Sequence, residues 1–83
     1  MIQVTYHISG FDRLNFVSDI TNSVPQDESV FIRTLNFEAD GVLANGILTI
    51  QVQQKTQPIS NLAQRFYAVP GVISLSESTE QVQ

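Results

Sequence analysis

The sequence predicts an α+β domain: a four-stranded antiparallel sheet with two helices packed on one face. Three features carry that expectation. Stretches of apolar–polar alternation open and close the chain. Two stretches with apolar spacings of three and four residues follow the first and third of the alternating runs. An Asp40-Gly41 turn joins two strand-forming runs in the middle. The order is strand, helix, strand, strand, helix, strand. Right-handed crossovers then put both helices on the same side of the sheet, the βαββαβ plait called ferredoxin-like.

The first strand sets Ile2, Val4, Tyr6 and Ile8 against Gln3, Thr5 and His7, one face apolar and the other polar. Ser9-Gly10 ends it. The loop Gly10-Phe11-Asp12-Arg13-Leu14 turns the strand into a helix. Asp12 stands where an N-cap belongs, its carboxylate placed to accept from the free amides of the next turn. Leu14, Val17, Ile20 and Val24 form the apolar stripe, Phe16 flanks it, and Pro25 stops the helix.

The second strand is expected over Ser29–Glu38, rich in β-branched and aromatic residues, and the third over Val42–Gln53. On the third, Val42, Ala44, Gly46, Leu48, Ile50 and Val52 share the face toward the helices, with Ala44 and Gly46 admitting close backbone approach. The turn decides which face of the second strand is buried. A two-residue turn would place Arg33 opposite Leu48 on the buried face, and an unpaired buried guanidinium is costly. A three-residue turn with Gly41 left-handed pairs Glu38 with Val42 and is the expected register. It sends Val30 and Ile32 inward with Leu48 and Ile50. Phe31, Arg33, Leu35 and Phe37 then face away from the helices as an apolar contact surface, and they are the expected interface residues. This strand lies at the sheet edge, where unpaired backbone invites a second copy, so a homodimer is expected.

Gln57-Pro58 opens the second helix, with proline early, where its missing amide costs nothing. Ile59, Leu62, Ala63 and Phe66 form its stripe, and Val69-Pro70-Gly71 stops it. Val72–Ser76 is a short last strand, and the polar tail 76–83 is expected to fray. Residues 1–83 form one domain.

Composition narrows the function. Eighty-three residues make a small domain, and 42% apolar residues suffice for one core. There is no cysteine, so disulfides and thiolate metal sites are excluded, which fits a cytoplasmic protein. No basic segment followed by an apolar run marks a secretory signal, and no apolar run approaches the ~20 residues of a membrane span. Four basic residues against eight acidic ones, net charge −4, repel DNA. His7 is the sole histidine and has no partner of metal-ligand type nearby in sequence. His7 also has no carboxylate orienter, and the adjacent Asp27-Glu28 pair points apart in a strand. Catalytic machinery is therefore not expected. No phosphate-binding or dinucleotide fingerprint is present, and no cofactor is expected. A small unit with so little catalytic inventory reads as a module of a longer chain.

The stretch Gly10–Ile20 resembles the Asp-Arg-x-Gly-Leu-Leu-x-Asp-Ile elbow of ACT domains. Asp40-Gly41 with Gly46–Val52 resembles their central hairpin, and Leu62 with Pro70-Gly71-Val72 their second helix and last strand. The elbow continuing into Asp19-Ile20-Thr21, and Ile32-Arg33 in the second strand, are most similar to the C-terminal ACT domain of the RelA/SpoT proteins. Those enzymes make and hydrolyse (p)ppGpp in the stringent response; the synthetase activity is a GTP pyrophosphokinase. The resemblance implies a non-catalytic regulatory domain that dimerises and signals to other domains of the parent chain. Contact with the ribosome would belong to the full-length parent alone. It also implies an amino-acid ligand at the elbow, touched by Asp12, Arg13, Leu14 and Asn15. Asn15 stands where the family has glycine. Its side chain either narrows the ligand space or donates to the ligand.

The plain readings of these residues differ. Asp12 is a helix cap, Arg13 is solvated or paired with Asp12 or Glu28, and Asp19 and Thr21 are solvated. Two other functions of such a plait fit less well. RNA-recognition plaits carry aromatics on the open face of the central strands within a basic surface, whereas Ile47, Thr49 and Gln51 occupy that face here. An acylphosphatase-like enzyme needs a glycine-rich, arginine-bearing loop after the first strand, and Ser9–Leu14 has one of each.

Overall fold

The computed structural model describes residues 2–24, 30–52 and 58–81, with side chains from 62 to 80 in the last segment. Pro25, Asp27, Glu28, Ser29 and Gln57, and the side chain of Ile59, lie outside the described residues. The elements run β1 (Ile2–Phe11), α1 (Phe16–Asn22), β2 (Val30–Ala39), β3 (Leu43–Val52), α2 (Pro58–Tyr67) and β4 (Val72–Gln81). One antiparallel sheet has the order β2-β3-β1-β4. This is the expected ferredoxin-like α+β plait. Among the described residues no helix is long and apolar enough to cross a membrane.

The core follows from the alternation of β1 and β3. Val4, Tyr6 and Ile8 of β1 and Ala44, Leu48, Ile50 and Val52 of β3 point to one side and are buried. Phe16, Ile20 and Val24 from the α1 segment and Leu62 and Phe66 from α2 close over them. Spacings of four residues make Phe16, Ile20 and Val24 the stripe. The expected stripe began two residues early: Leu14 lies before the helix and is 85% exposed.

Tyr6 packs edge-on against Phe66, ring centroids 4.9 Å apart. Its hydroxyl is, among the described residues, the one buried side-chain polar atom that makes no hydrogen bond. Burial pushes its pKa far above the usual phenol range, and Glu77, opposite it on the β1–β4 ladder, adds to the rise. A buried, unsatisfied hydroxyl opposes folding. Tyr6→Phe should therefore leave stability unchanged or raise it by up to about 1 kcal/mol. A clear loss in a urea melt would mean that the hydroxyl has a partner after all.

Two strand boundaries differ from expectation. β1 does not stop at Ser9-Gly10 but continues to Phe11, with a register shift against β4 at that step. Residues 76–81 of the polar tail do not fray but pair with β1, as far as Ile2 opposite Gln81. A polar strand is stable there because its backbone bonds to β1, and its side chains sit at an open sheet edge.

The hairpin register is the main correction. Gly41 is left-handed as expected, with φ 94°. The turn, however, is centred on Gly41-Val42. Asp40 N donates to Leu43 O at 3.1 Å, and the Asp40 carboxylate accepts from the amides of Val42 and Leu43 at 2.9 and 2.8 Å. Those two bonds hold the Asp40 pKa below its ordinary value. Ala39 thus pairs with Ala44, Phe37 with Gly46 and Leu35 with Leu48. Leu35 and Phe37 are on the helix side, not on the open face. Phe37 is half-buried with its ring edge-on to Phe16 at 6.3 Å, in the space a Gly46 side chain would fill. The glycine admits a ring rather than a backbone.

Arg33 nonetheless faces outward. The β2–β3 register shifts between Ile32 and Thr34, so Arg33 is an extra residue in the edge strand. Its Nε donates to Gln51 Oε1 at 2.7 Å, and its guanidinium lies 5.7 Å from the Phe31 ring centroid. Before the bulge the faces are as expected, with Val30 and Ile32 on the helix side. After it they are exchanged.

The open face is consequently mixed, with polar pairs between its apolar residues. Thr5 and Thr49 hydroxyls meet at 3.2 Å, Ser9 donates to Asn45 at 2.6 Å, and Gln51 bridges Arg33 and Gln3. Exposed apolar side chains lie on both faces: Ile32 and Leu35 at the β2 edge are 42% and 44% exposed on the helix side, while Phe31, at 39%, and Phe11, Leu43 and Ile47 along β1 and β3 are exposed on the other.

Candidate functional site

Three chain reversals meet at one end of the sheet: the β1–α1 elbow, the β2–β3 turn and the α2–β4 turn. Backbone bonds tie them. Phe11 N donates to Gly71 O and Asp12 N to Val42 O, both at 2.9 Å.

Asp12 is not the helix cap. Its carboxylate reaches across to accept from Gly41 N at 3.0 Å, so it fastens the elbow to the hairpin. The cap position belongs to Asn15, whose side chain makes no capping bond. Asn15 has φ 67° and ψ 15° and is the one non-glycine residue with positive φ among the described residues. Asparagine tolerates this left-handed conformation better than residues with a bulkier β-carbon. Glycine and asparagine are thus alternative solutions for the same backbone. Asn15→Gly should leave stability within about 0.5 kcal/mol of the wild type, whereas Asn15→Val should cost about 1–2 kcal/mol. Equal stability of the valine variant in urea would contradict the left-handed elbow.

Arg13 is neither solvated nor paired with Asp12. Its Nε donates to Pro70 O at 2.9 Å, Nη1 to Leu14 O at 2.8 Å, and Nη2 to the Asp19 carboxylate at 2.8 Å. The guanidinium also lies 5.6 Å from the Phe16 ring centroid. One side chain so links the elbow, α1 and the α2–β4 turn. Asp19 was expected to be solvated. Its place one turn into α1 from the arginine-bearing elbow is the sequence signal that it can fold back onto Arg13.

Between the elbow and the edge strand lies a cleft of about 240 Å³. Asp12, Arg13, Asn15 and Ser18 line one wall, and Phe37, Glu38 and Ala39 of β2 line the other. Of the expected ligand contacts, Asp12, Arg13 and Asn15 come together here, while Leu14 points to solvent outside the lining. The β2 wall was missed from sequence because the expected register turned Phe37 to the opposite face. The Asp12 carboxylate is taken up by Gly41 N and the guanidinium by Asp19, while the Glu38 side chain, paired with Asn45 on the ladder, belongs to the open face of the sheet.

No family profile matches the sequence, and no curated protein does. Solved structures do. The crystal structure of the ACT domain from the GTP pyrophosphokinase of Chlorobium tepidum is similar with a TM-score of 0.75 and 22% identity, over 92% of this chain and 96% of that one. The solution structure of the same domain gives a TM-score of 0.71 at 22% identity, over 92% of this chain and 84% of that one. The C-terminal domain of the MgtC protein from Mycobacterium tuberculosis gives 0.69 at 10% identity, over 96% of this chain and 88% of that one. At these identities the likeness is one of fold.

Proposed function

We propose that this chain is a non-catalytic regulatory domain of the ACT type, the C-terminal domain of a cytoplasmic RelA/SpoT-like (p)ppGpp synthetase/hydrolase. In this reading it dimerises and passes a signal to catalytic domains of the same polypeptide. One observation carries the proposal: Asn15 is left-handed at the position where the ACT elbow has glycine. The surrounding plait resembles an ACT domain of a GTP pyrophosphokinase over 92% of the chain, which supports the same reading. The seam of the dimer is β2. It is an unpaired edge with Phe31, Arg33 and Leu35 along it, while Phe37 contributes from behind as part of the core.

The elbow cleft supports a second reading, an amino-acid sensor of a biosynthetic enzyme or its regulatory subunit. Calorimetry with the common amino acids separates the two. Saturable binding at millimolar concentration or tighter, lost in Asp12→Ala, favours the sensor. In the parent polypeptide, removal of this domain should change the ratio of (p)ppGpp synthesis to hydrolysis. An unchanged ratio would overturn the stringent-response assignment.

A further inference from the structure

The open face of the sheet holds a second concavity, about 360 Å³, away from the helices. Two neighbouring rungs of the ladder build it. Ser9, Asn45 and Glu38 lie side by side across β1, β3 and β2, and His7, Ile47 and Asn36 form the next rung. Strands about 5 Å apart, and rungs about 7 Å apart along them, give a polar patch the size of one sugar ring.

The pattern of used and unused hydrogen-bonding atoms selects the ligand. Ser9 Oγ donates to Asn45 Oδ1 at 2.6 Å, which leaves Asn45 Nδ2 as the unused end of that carboxamide. Among the described residues Nδ2 donates to nothing, and the Glu38 carboxylate one strand away accepts nothing. A free donor beside a free acceptor is bridged by a hydroxyl, which accepts from one and donates to the other. An ammonium group has no lone pair for Nδ2, and an anion meets the Glu38 charge. On the next rung the Asn36 carboxamide and the His7 imidazole again offer a donor and an acceptor each. Ile47 between them supplies an apolar floor for C–H groups.

We propose that this trough binds a neutral polyhydroxylated molecule of the sugar or polyol class. The site is distinct from the elbow cleft and does not depend on the regulatory reading. The test is a ¹H–¹⁵N titration of the 83-residue chain with D-glucose, D-galactose and myo-inositol, each to about 0.1 M. At least one should give saturable shifts confined to the amides of residues 7–9, 36–38 and 45–47. Glu38→Ala and Asn45→Ala, both at exposed positions, should each weaken that binding roughly tenfold while the remaining spectrum stays native. No saturable shift with any of the three would overturn the proposal. So would unchanged affinity in both variants, or saturable shifts at the same amides with methylammonium chloride or sodium sulfate in place of the polyols. Shifts gathered at residues 12–18 would assign the binding to the elbow and overturn it too.

Discussion

Phe66→Ala should cost about 4 kcal/mol and lower the melting temperature by roughly 20 °C. Phe66 is fully buried, and its ring packs edge-on to Tyr6 at the middle of the sheet. Truncation removes the contact by which α2 holds β1, and neither partner can collapse into the gap. β1 is locked between β3 and β4, and the helix is held by Leu62 as well. The residual cavity therefore adds to the lost transfer energy. A domain this small has a total stability on the order of 4–12 kcal/mol, so the variant should be partly unfolded at 37 °C. Circular dichroism melts measure the effect. A drop of less than about 5 °C would mean that α2 is not packed on Tyr6 as described.

Gly10→Ala should cost about 3 kcal/mol. A β-carbon at this position would lie 2.5 Å from the Gly71 carbonyl oxygen and 2.5 Å from the Phe16 ring. The oxygen is backbone and accepts from Phe11 N, so it cannot yield without breaking the tie between the elbow and the α2–β4 turn. The ring is confined by Phe37 on its other side. Urea unfolding should show a lower midpoint with an unchanged slope, the mark of a native-state clash rather than an altered unfolded chain. The effect should be local to the elbow, so amide shifts in the variant should spread through residues 11–18 and 69–72. Wild-type stability of Gly10→Ala would contradict the close approach of the two turns.

The order of elements was legible because each one is encoded by nearby residues. Alternation marks β1 and β3, four-residue spacing marks the helices, and Asp40-Gly41 marks the turn. What sequence could not supply was an arrangement set by distant partners. The outward position of Arg33 follows from the cost of burying a guanidinium, and that inference is correct. The chain satisfies it with one bulged residue, however, instead of a uniform register. The bulge frees Leu35 and Phe37 to turn inward, and Phe37 finds its place only because Gly46 leaves a notch beside Phe16. That fit joins residues from three elements and has no local signature. The roles of Asp12 and Arg13 were obscured for the same reason: Asp12 is satisfied by the β2–β3 turn, and Arg13 largely by the α2–β4 turn and α1. The elbow was therefore recognisable as a stretch, while the second wall of its cleft was not.

The regulatory reading stands on the edge of β2 as a seam between two copies. Sedimentation equilibrium of the wild type and Leu35→Glu from micromolar to millimolar concentration tests it directly. Leu35 is 44% exposed, so glutamate there leaves the core intact while placing a charge on the seam. The account predicts a wild-type dimer that dissociates to a folded monomer in Leu35→Glu. A wild type that stays monomeric over the whole range, or a Leu35→Glu variant that dimerises as tightly, would contradict it.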